Sequence, residues 1–231
     1  MSFRTNNFVL ILRDLGRVLG LNKLIAGYLL GGGYEVKYDK QFSDALLQGD
    51  CVWDVGANVG YYTSLFSERI GQQGHVYAFE PIPVNFPRLS FQCLALGNVT
   101  LLHCGLGKED AQLHFQQGTD DLGATSRIVE AGANTTIVDV RSGVSIVNGG
   151  VAPVPNALKI DVEGFEYEVL EGLGEYINNT ALHLIGMEVH FSILKERGFA
   201  QAPQKIEQLL LTNGFSVNWP DSSHIIALRN T

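Results

Sequence analysis

A short segment of the chain, VWDVGANVGYYT (residues 52–63), combines an acid with two closely spaced glycines. Asp54, Gly56 and Gly60 have the spacing DxGxxxG, which differs from the GxGxxG of dinucleotide-binding turns. Asn58 stands where a middle glycine would be, and no lysine follows the turn. The first turn of a helix attracts phosphate groups, but Asp54 would repel a phosphate and attract a cation. The pattern therefore predicts a turn that binds a positively charged ligand.

A second acid, Glu80, ends the segment HVYAFE (residues 75–80) and follows Asp54 by 26 residues. An acid at this place in a nucleotide-binding fold accepts hydrogen bonds from ribose hydroxyls. S-adenosylmethionine meets both requirements, because it carries an ammonium, a sulfonium and a ribose but no phosphate. We therefore predict this cofactor, with an ordinary turn beside a surface carboxylate as the structural alternative.

A further group of polar residues belongs to two later apolar segments, ALKIDV (157–162) and ALHLIGMEVH (181–190). Its members in and just after these segments are Lys159, Asp161, Glu163, Glu188 and His190. Methyl transfer to a hydroxyl requires a group that positions the acceptor oxygen and a group that takes up its proton. His190 titrates near neutral pH and is the predicted general base, while Asp161 either orients it or binds the acceptor. Lys159 and Glu163 complete the predicted catalytic set.

Structural roles compete with these assignments. Lys159 could serve only as a member of a buried ion pair, Glu163 could favour the start of the next helix through its dipole, and His190 could bond a neighbouring carbonyl. Asp161, Glu188 and His190 could also hold a divalent ion, and this oxygen-rich set suits magnesium or manganese better than zinc. We favour a site without a metal ligand and keep magnesium as the alternative.

Short apolar segments alternate with helical patterns from residue 51 onward, which predicts an α/β fold with a mostly parallel sheet. Ligands of such sheets bind beyond the carboxyl ends of the strands, so both polar groups would lie at one edge. The last two segments, FSVNW (215–219) and HIIALR (224–229), are separated by four residues and must form an antiparallel hairpin. Residues 107–156 break the alternation, with short strands at 112–116 and 135–141, and are expected to form an acceptor-recognition lid.

The chain resembles the FkbM-type S-adenosylmethionine-dependent methyltransferases in three segments, which follow in the order VWDVGANVGYYT, VYAFEPIPVNF and ALKIDVEGFEYEVLEG. The resemblance covers about residues 40–230. It implies a Rossmann-like class I methyltransferase fold with seven strands, and an O-methyltransferase acting on hydroxyls of sugars, glycolipids or other natural products. It assigns the methionine part of the cofactor to Asp54, Gly56, Asn58 and Gly60, the ribose to Glu80, and the adenine to the neighbourhood of Cys104 and Gly105. Two other functions stay open, a nicotinamide-dependent (NAD) oxidoreductase and a cofactor-binding module without catalysis.

The composition limits the remaining classes of function. The net charge is −8 and the 16 lysines and arginines are scattered, which argues against nucleic-acid binding. The three cysteines lie outside any metal-binding spacing. We expect a small-molecule or glycan acceptor and a cytoplasmic protein.

Residues 1–47 are expected to form an N-terminal helical cap on a methyltransferase domain of residues 48–231. The longest uncharged run of this segment, residues 24–34, is 11 residues long, far shorter than the roughly 20 residues that span a bilayer. Leucines at helical spacing predict amphipathic helices instead. Such helices could close over the pocket, lie on a membrane surface or form a homodimer contact.

Overall fold

The computed structural model describes residues 36–116, 127–128 and 135–230. Its strands, numbered along the chain, are β1 (Cys51–Val55), β2 (His75–Phe79), β3 (Val99–Leu102), β4 (Gly105–Gly107), β5 (Ala111–Gln116), β6 (Arg127–Ile128), β7 (Thr135–Ser142), β8 (Ala157–Ile160), β9 (Leu184–Glu188), β10 (Phe215–Asn218) and β11 (His224–Arg229). Its helices are α1 (Val36–Ala45), α2 (Tyr61–Ile70), α3 (Phe86–Gln92), α4 (Gly143–Asn148), α5 (Glu166–Gly172), α6 (Phe191–Glu196) and α7 (Ala202–Thr212), with a 3₁₀ helix at Gly174–Asn178.

Seven strands form the main sheet in the order β10-β11-β9-β8-β1-β2-β3. The strands from β3 to β9 in this order run parallel to one another, while β11 runs antiparallel to both β9 and β10. The predicted, mostly parallel sheet and its C-terminal hairpin are therefore confirmed. Because β2, β1, β8 and β9 are neighbours in this order, their carboxyl ends lie side by side.

Helices cover both faces of the main sheet, because its central strands are apolar on both sides. Val52, Trp53 and Val55 of β1 are fully buried, and every residue of β8 is buried. On one face α1 packs against β9, where a Cβ on Gly186 would lie 2.4 Å from the ring of Phe42. The glycine therefore allows α1 to approach the sheet closely.

A second sheet of four strands, in the order β4-β7-β5-β6, is built from residues 105–142. The strands predicted at 112–116 and 135–141 are confirmed as β5 and β7. The apolar run VTLLHCGL (99–106) predicts one strand, but the structure divides it between β3 of the main sheet and β4 of the second sheet. The division arises because β4 pairs with β7, a partner more than 30 residues away, which local periodicity does not reveal.

Within the described residues, no helix is long and apolar enough to cross a membrane. Helix α1 lies within the predicted N-terminal cap, whereas the amphipathic helices predicted before residue 36 fall outside the described residues. The boundary at residue 47, the homodimer, the cytoplasmic location and the lid role of residues 107–156 stay predictions.

Candidate active site

The turn after β1 is shaped by three residues with a left-handed backbone. These are Gly56 (φ 79°), Asn58 (φ 51°) and Gly60 (φ 92°), and residues other than glycine and asparagine rarely adopt this conformation. The backbone N–H groups of Gly56 and Ala57 both donate to the Phe79 carbonyl at 3.0 Å. The turn therefore folds onto the end of β2 before α2 begins.

Gly56 also brings two parts of the site into direct contact. A Cβ at this position would lie 2.0 Å from the backbone oxygen of Asp161, a separation that real Cβ atoms do not reach. The turn after β1 consequently packs against the segment that follows β8. Glycine is required here both for the close approach and for the positive φ.

Glu80 lies beside this turn, just after β2, and is 3% exposed. Its carboxylate accepts hydrogen bonds from the N–H of Asn58 at 2.8 Å and from the N–H of Ile82 at 2.7 Å. Burial raises the pKa of Glu80 to about 7, although these two hydrogen bonds lower it in part. A carboxylate has about four acceptor positions, so Glu80 retains capacity for the ribose hydroxyls that the sequence assigns to it.

Asp54 lies beneath the turn rather than on its open side. It is fully buried, and its Oδ2 accepts a hydrogen bond from the hydroxyl of Thr63 at 2.6 Å. Its Oδ1 lies 3.1 Å from the Nζ of Lys159. The cation beside Asp54 in this structure is therefore a lysine of the same chain, and Asp54 would act on a cofactor through the turn that it supports.

A buried acceptor atom marks the turn at residues 56–60, which we call the cofactor turn after its predicted ligand. The Oδ1 of Asn58 is buried and makes no hydrogen bond to any described residue. Because buried polar atoms are nearly always hydrogen-bonded, this atom requires a donor, and the ammonium of a methionine moiety is one. A pyrophosphate offers no donor. Asn58 and Glu80 therefore fit the polar groups of S-adenosylmethionine better than those of a dinucleotide phosphate.

The predicted adenine contacts, Cys104 and Gly105, lie where the chain leaves β3 for β4. A Cβ on Gly105 would lie 3.5 Å from Pro81, so this segment stays beside the end of β2. Cys104 is half-buried, and burial raises the pKa of its thiol to about 11. A cavity of about 640 Å³ borders Cys104 and extends to β5 and β7, and its lining does not include His190 or the acids around it.

The acceptor side of the site forms around His190, beyond the carboxyl ends of β8 and β9. The histidine is 1% exposed. Its Nε2 lies 3.4 Å from Glu163 Oε2, 3.8 Å from Asp161 Oδ1 and 3.9 Å from Glu188 Oε1. The structure thus brings four of the predicted residues together, and we refer to Asp161, Glu163, Glu188 and His190 as the His190 cluster.

Lys159 connects the His190 cluster with the cofactor turn. It is 2% exposed, and its Nζ donates to the Gly56 carbonyl at 3.0 Å. The same atom lies 3.1 Å from Asp54 Oδ1 and 3.7 Å from Asp161 Oδ2. These contacts favour the buried ion pair over a catalytic role for Lys159.

Sequence analysis missed Glu166, the first residue of α5. This residue is fully buried and accepts hydrogen bonds from the Gly164 N–H at 3.0 Å and from His190 Nδ1 at 2.5 Å. Glu166 therefore orients the imidazole, whereas Asp161, the predicted orienting residue, lies at the opposite ring nitrogen. The contact joins residues 24 positions apart in the chain, which local sequence patterns do not show.

The charge around His190 changes its protonation. Burial by itself lowers the pKa of the imidazole, but the carboxylates of Glu163, Glu188 and Glu166 outweigh burial and raise the pKa to about 9. These carboxylates therefore favour the protonated form of the ring. The prediction of a free general base requires a further positive charge beside the ring.

The sequence profile of the methyltransferase FkbM domain matches residues 54–217. The matched range begins at Asp54 of the cofactor turn and includes the whole His190 cluster. The chain belongs to the FkbM methyltransferase family. This membership confirms the resemblance noted in the sequence and favours a methyltransferase over a nicotinamide-dependent oxidoreductase.

Two named proteins are similar in sequence to this FkbM chain. The hexuronic acid methyltransferase AglP of Haloferax volcanii is 31% identical over 147 residues, which are 63% of this chain and 58% of AglP. Methyltransferase 1 of Beauveria bassiana is 29% identical over 202 residues, covering 74% of this chain and 81% of that protein. The chain thus spans little more than half the length of AglP.

A solved structure confirms the fold predicted for the FkbM chain. The precorrin-6y C5,15-methyltransferase of Geobacter metallireducens superposes with a TM-score of 0.50 and 15% identity, over 85% of this chain and 88% of that one. At this identity the similarity concerns the fold alone. The main sheet is therefore the Rossmann-like sheet of class I methyltransferases.

Proposed function

We propose that this FkbM chain transfers the methyl group of S-adenosylmethionine to a hydroxyl of a sugar or another small-molecule or glycan acceptor. The observation that carries the proposal is the direct contact between the cofactor turn and the His190 cluster. Gly56 packs against the backbone of Asp161, and Lys159 bridges the two parts. A cofactor held by the turn would therefore present its methyl group to an acceptor held by the cluster.

The cofactor side has the groups that this ligand needs. Asn58 offers an acceptor to the ammonium, Gly56 and Gly60 shape the turn, and Glu80 offers its carboxylate to the ribose. Asp54 supports the turn from beneath. The segment at Cys104 and Gly105 is the proposed place of the adenine, because it stays beside the end of β2.

On the acceptor side, the chain has to position a hydroxyl and receive its proton. The cofactor supplies an electrophilic methyl group on sulfur. With the cofactor bound, its methyl group would pass from sulfur to the acceptor oxygen, and the His190 cluster would receive the hydroxyl proton. Asp161 and Glu163 have the most exposed side chains of this cluster, at 18% and 27%, and are therefore the groups that an acceptor hydroxyl can reach first.

A sugar acceptor is supported by one relative. AglP carries the name of a hexuronic acid methyltransferase and matches 63% of this chain. Hydroxyl-rich acceptors also suit a site rich in carboxylates, since carboxylates accept hydrogen bonds from hydroxyls. Uronic acids, neutral sugars and phenolic natural products form the panel on which transfer of a labelled methyl group should be measured.

The cofactor assignment is tested by thermal unfolding with S-adenosylmethionine, S-adenosylhomocysteine and NAD. A ligand present at 100 times its dissociation constant stabilises the folded chain by about 2.7 kcal/mol. We expect stabilisation by the two sulfur compounds and none by NAD. Stabilisation by NAD alone would refute the assignment of the turn and of Glu80.

The acceptor assignment is tested by replacing Asp161 and His190 with alanine. Each replacement should lower the rate of methyl transfer by about 10²–10⁴-fold, the usual contribution of a group that handles a proton, while binding of S-adenosylhomocysteine changes little. His75→Ala is the control, because His75 bonds Thr100 at the other end of the strands and should leave transfer unchanged. If cofactor binding is lost instead, these residues belong to the cofactor pocket.

A further inference from the structure

The Nε2 atom of His190 is surrounded by the side chains of three acids. It lies 3.4 Å from the nearest oxygen of Glu163, 3.8 Å from that of Asp161 and 3.9 Å from that of Glu188. A charged N–H···O hydrogen bond normally measures about 2.7–2.9 Å, so none of these separations is one. Nε2 is buried and makes no hydrogen bond to any of the described residues. The nearest oxygens of three acids therefore lie close to Nε2 without a short hydrogen bond to it.

His190 and the carboxylates of Asp161 and Glu188 each have a polar group on their outer side, hydrogen-bonded to His190 but only 3.7–3.8 Å from the carboxylates. Glu166 holds His190 at Nδ1, and this leaves the lone pair of a neutral ring on Nε2. The second oxygen of Asp161 lies 3.7 Å from Lys159 Nζ. The second oxygen of Glu188 lies 3.8 Å from Nε2 of His224, a buried residue that is itself paired with Asp221. Outer partners of this kind are typical of metal ligands.

The negative charge of the carboxylates around His190 also favours the binding of a cation. Glu166 and the three acids of the His190 cluster surround one imidazole, and Glu166 and Glu188 are buried. Lys159 pairs with one member of this group, Asp161, and is shared with Asp54. Buried carboxylates are costly unless they are paired or coordinate a metal.

We propose that Asp161, Glu188 and His190 bind one divalent metal ion, Mn²⁺ or Mg²⁺. One ligand atom from each residue lies within 4.8 Å of the others. Hard divalent ions bind oxygen at about 2.1 Å (Mg²⁺) to 2.6 Å (Ca²⁺), so ligands on opposite sides of such an ion are about 4–5 Å apart. Carboxylates suit these ions, and the single imidazole favours Mn²⁺ among them. Three protein ligands leave positions open for water and for an acceptor oxygen.

This site deepens the proposed function, and its chemical role rests on that function. An ion at this point would bind the acceptor hydroxyl and lower its pKa, with His190 as a ligand rather than a free base. This arrangement differs from the metal-free site that the sequence favours. The sequence shows the three residue types, but it does not show that Glu166 turns Nε2 toward the two carboxylates.

The test measures Mn²⁺ binding by the full chain, independently of methyl transfer. Protein treated with EDTA and dialysed is titrated with Mn²⁺, and the free ion is followed by electron paramagnetic resonance. We expect one site, competed by Mg²⁺. Glu188→Gln and Asp161→Asn should each weaken binding about tenfold or more, and Glu166→Gln, which removes an outer partner, about tenfold. Glu168→Gln is the matched control, because Glu168 belongs to the same helix but pairs with Arg197.

Each outcome bears on the proposal separately from the proposed function. If the folded wild-type chain binds no Mn²⁺, with or without S-adenosylhomocysteine, the metal site is wrong. The proposed cofactor site is then still judged by the thermal unfolding experiment. Binding that survives all three variants would place the ion elsewhere and also overturn it. Loss of binding in the variants, with circular dichroism unchanged and Glu168→Gln unaffected, supports it even if no acceptor is methylated.

Discussion

The two sides of this site are neighbours but are built from different parts of the chain. The cofactor turn is made by the backbone, with three left-handed residues and amide groups that bond Phe79 and Glu80. The His190 cluster is made by side chains, and its geometry depends on where charges are paired. A backbone site follows from glycine spacing along the chain, whereas a side-chain site depends on contacts between residues that are distant in sequence.

Lys159 contacts both the cofactor turn and the His190 cluster, so its replacement should have the largest effect on stability. Lys159→Met should destabilise the fold by about 3–5 kcal/mol, because it leaves the buried Asp54 without its cationic partner. Urea unfolding measures the change. Lys108→Met, which removes an exposed lysine 3.4 Å from Glu171, should cost less than about 1 kcal/mol. Equal effects of the two replacements would mean that Lys159 does not join the two sides.

Gly56 and Gly49 allow the stability cost of a steric clash to be distinguished from the cost of a left-handed backbone. Gly56→Ala combines a left-handed backbone with a clash against Asp161 and should cost about 2–5 kcal/mol. Gly49→Ala has a similar φ, 88°, but its Cβ would meet nothing within 4 Å, so we expect only about 1–2 kcal/mol. Thermal unfolding of both variants measures the difference. If the two variants lose the same stability, the packing of the turn on Asp161 does not contribute measurably to the free energy of unfolding.

A smaller effect concerns Glu80 and pH. Ribose hydroxyls bound at Glu80 as proposed would favour the charged carboxylate, and the pKa of Glu80 is raised to about 7. Affinity for S-adenosylhomocysteine should therefore fall about tenfold per unit as pH drops below 7 and level off above it. Glu80→Gln should bind weakly and lose this slope. A slope that persists in the variant would assign it to another group.

The same shift has an opposite consequence for the chain without cofactor. Because the folded state raises the pKa of Glu80 from 4.5 to about 7, folding favours its protonated form. The stability that this group contributes is full below pH 4.5 and is lost as the pH rises to about 7. Calorimetry of wild-type chain and Glu80→Gln across this range should show the difference.

Sequence reasoning succeeded where a residue pattern is local. The apolar strand before Asp54, the glycine turn and the short link before β11 each fix their own structure, so the main sheet and its hairpin could be predicted. Contacts between elements that are distant in sequence could not be predicted. Pairing of β4 with β7 created a second sheet, and the 2.5 Å contact between Glu166 and His190 spans 24 residues.

Helix α5 links these two unpredicted features. Its first residue, Glu166, holds His190, while a Cβ on its last residue, Gly172, would lie 1.9 Å from the carbonyl oxygen of Gly107 in β4. The helix has seven residues and is about 10 Å long. One end of this short helix thus contacts the second sheet and the other end contacts the imidazole. We therefore expect substitutions in the second sheet that shift β4 to displace the imidazole of His190 as well.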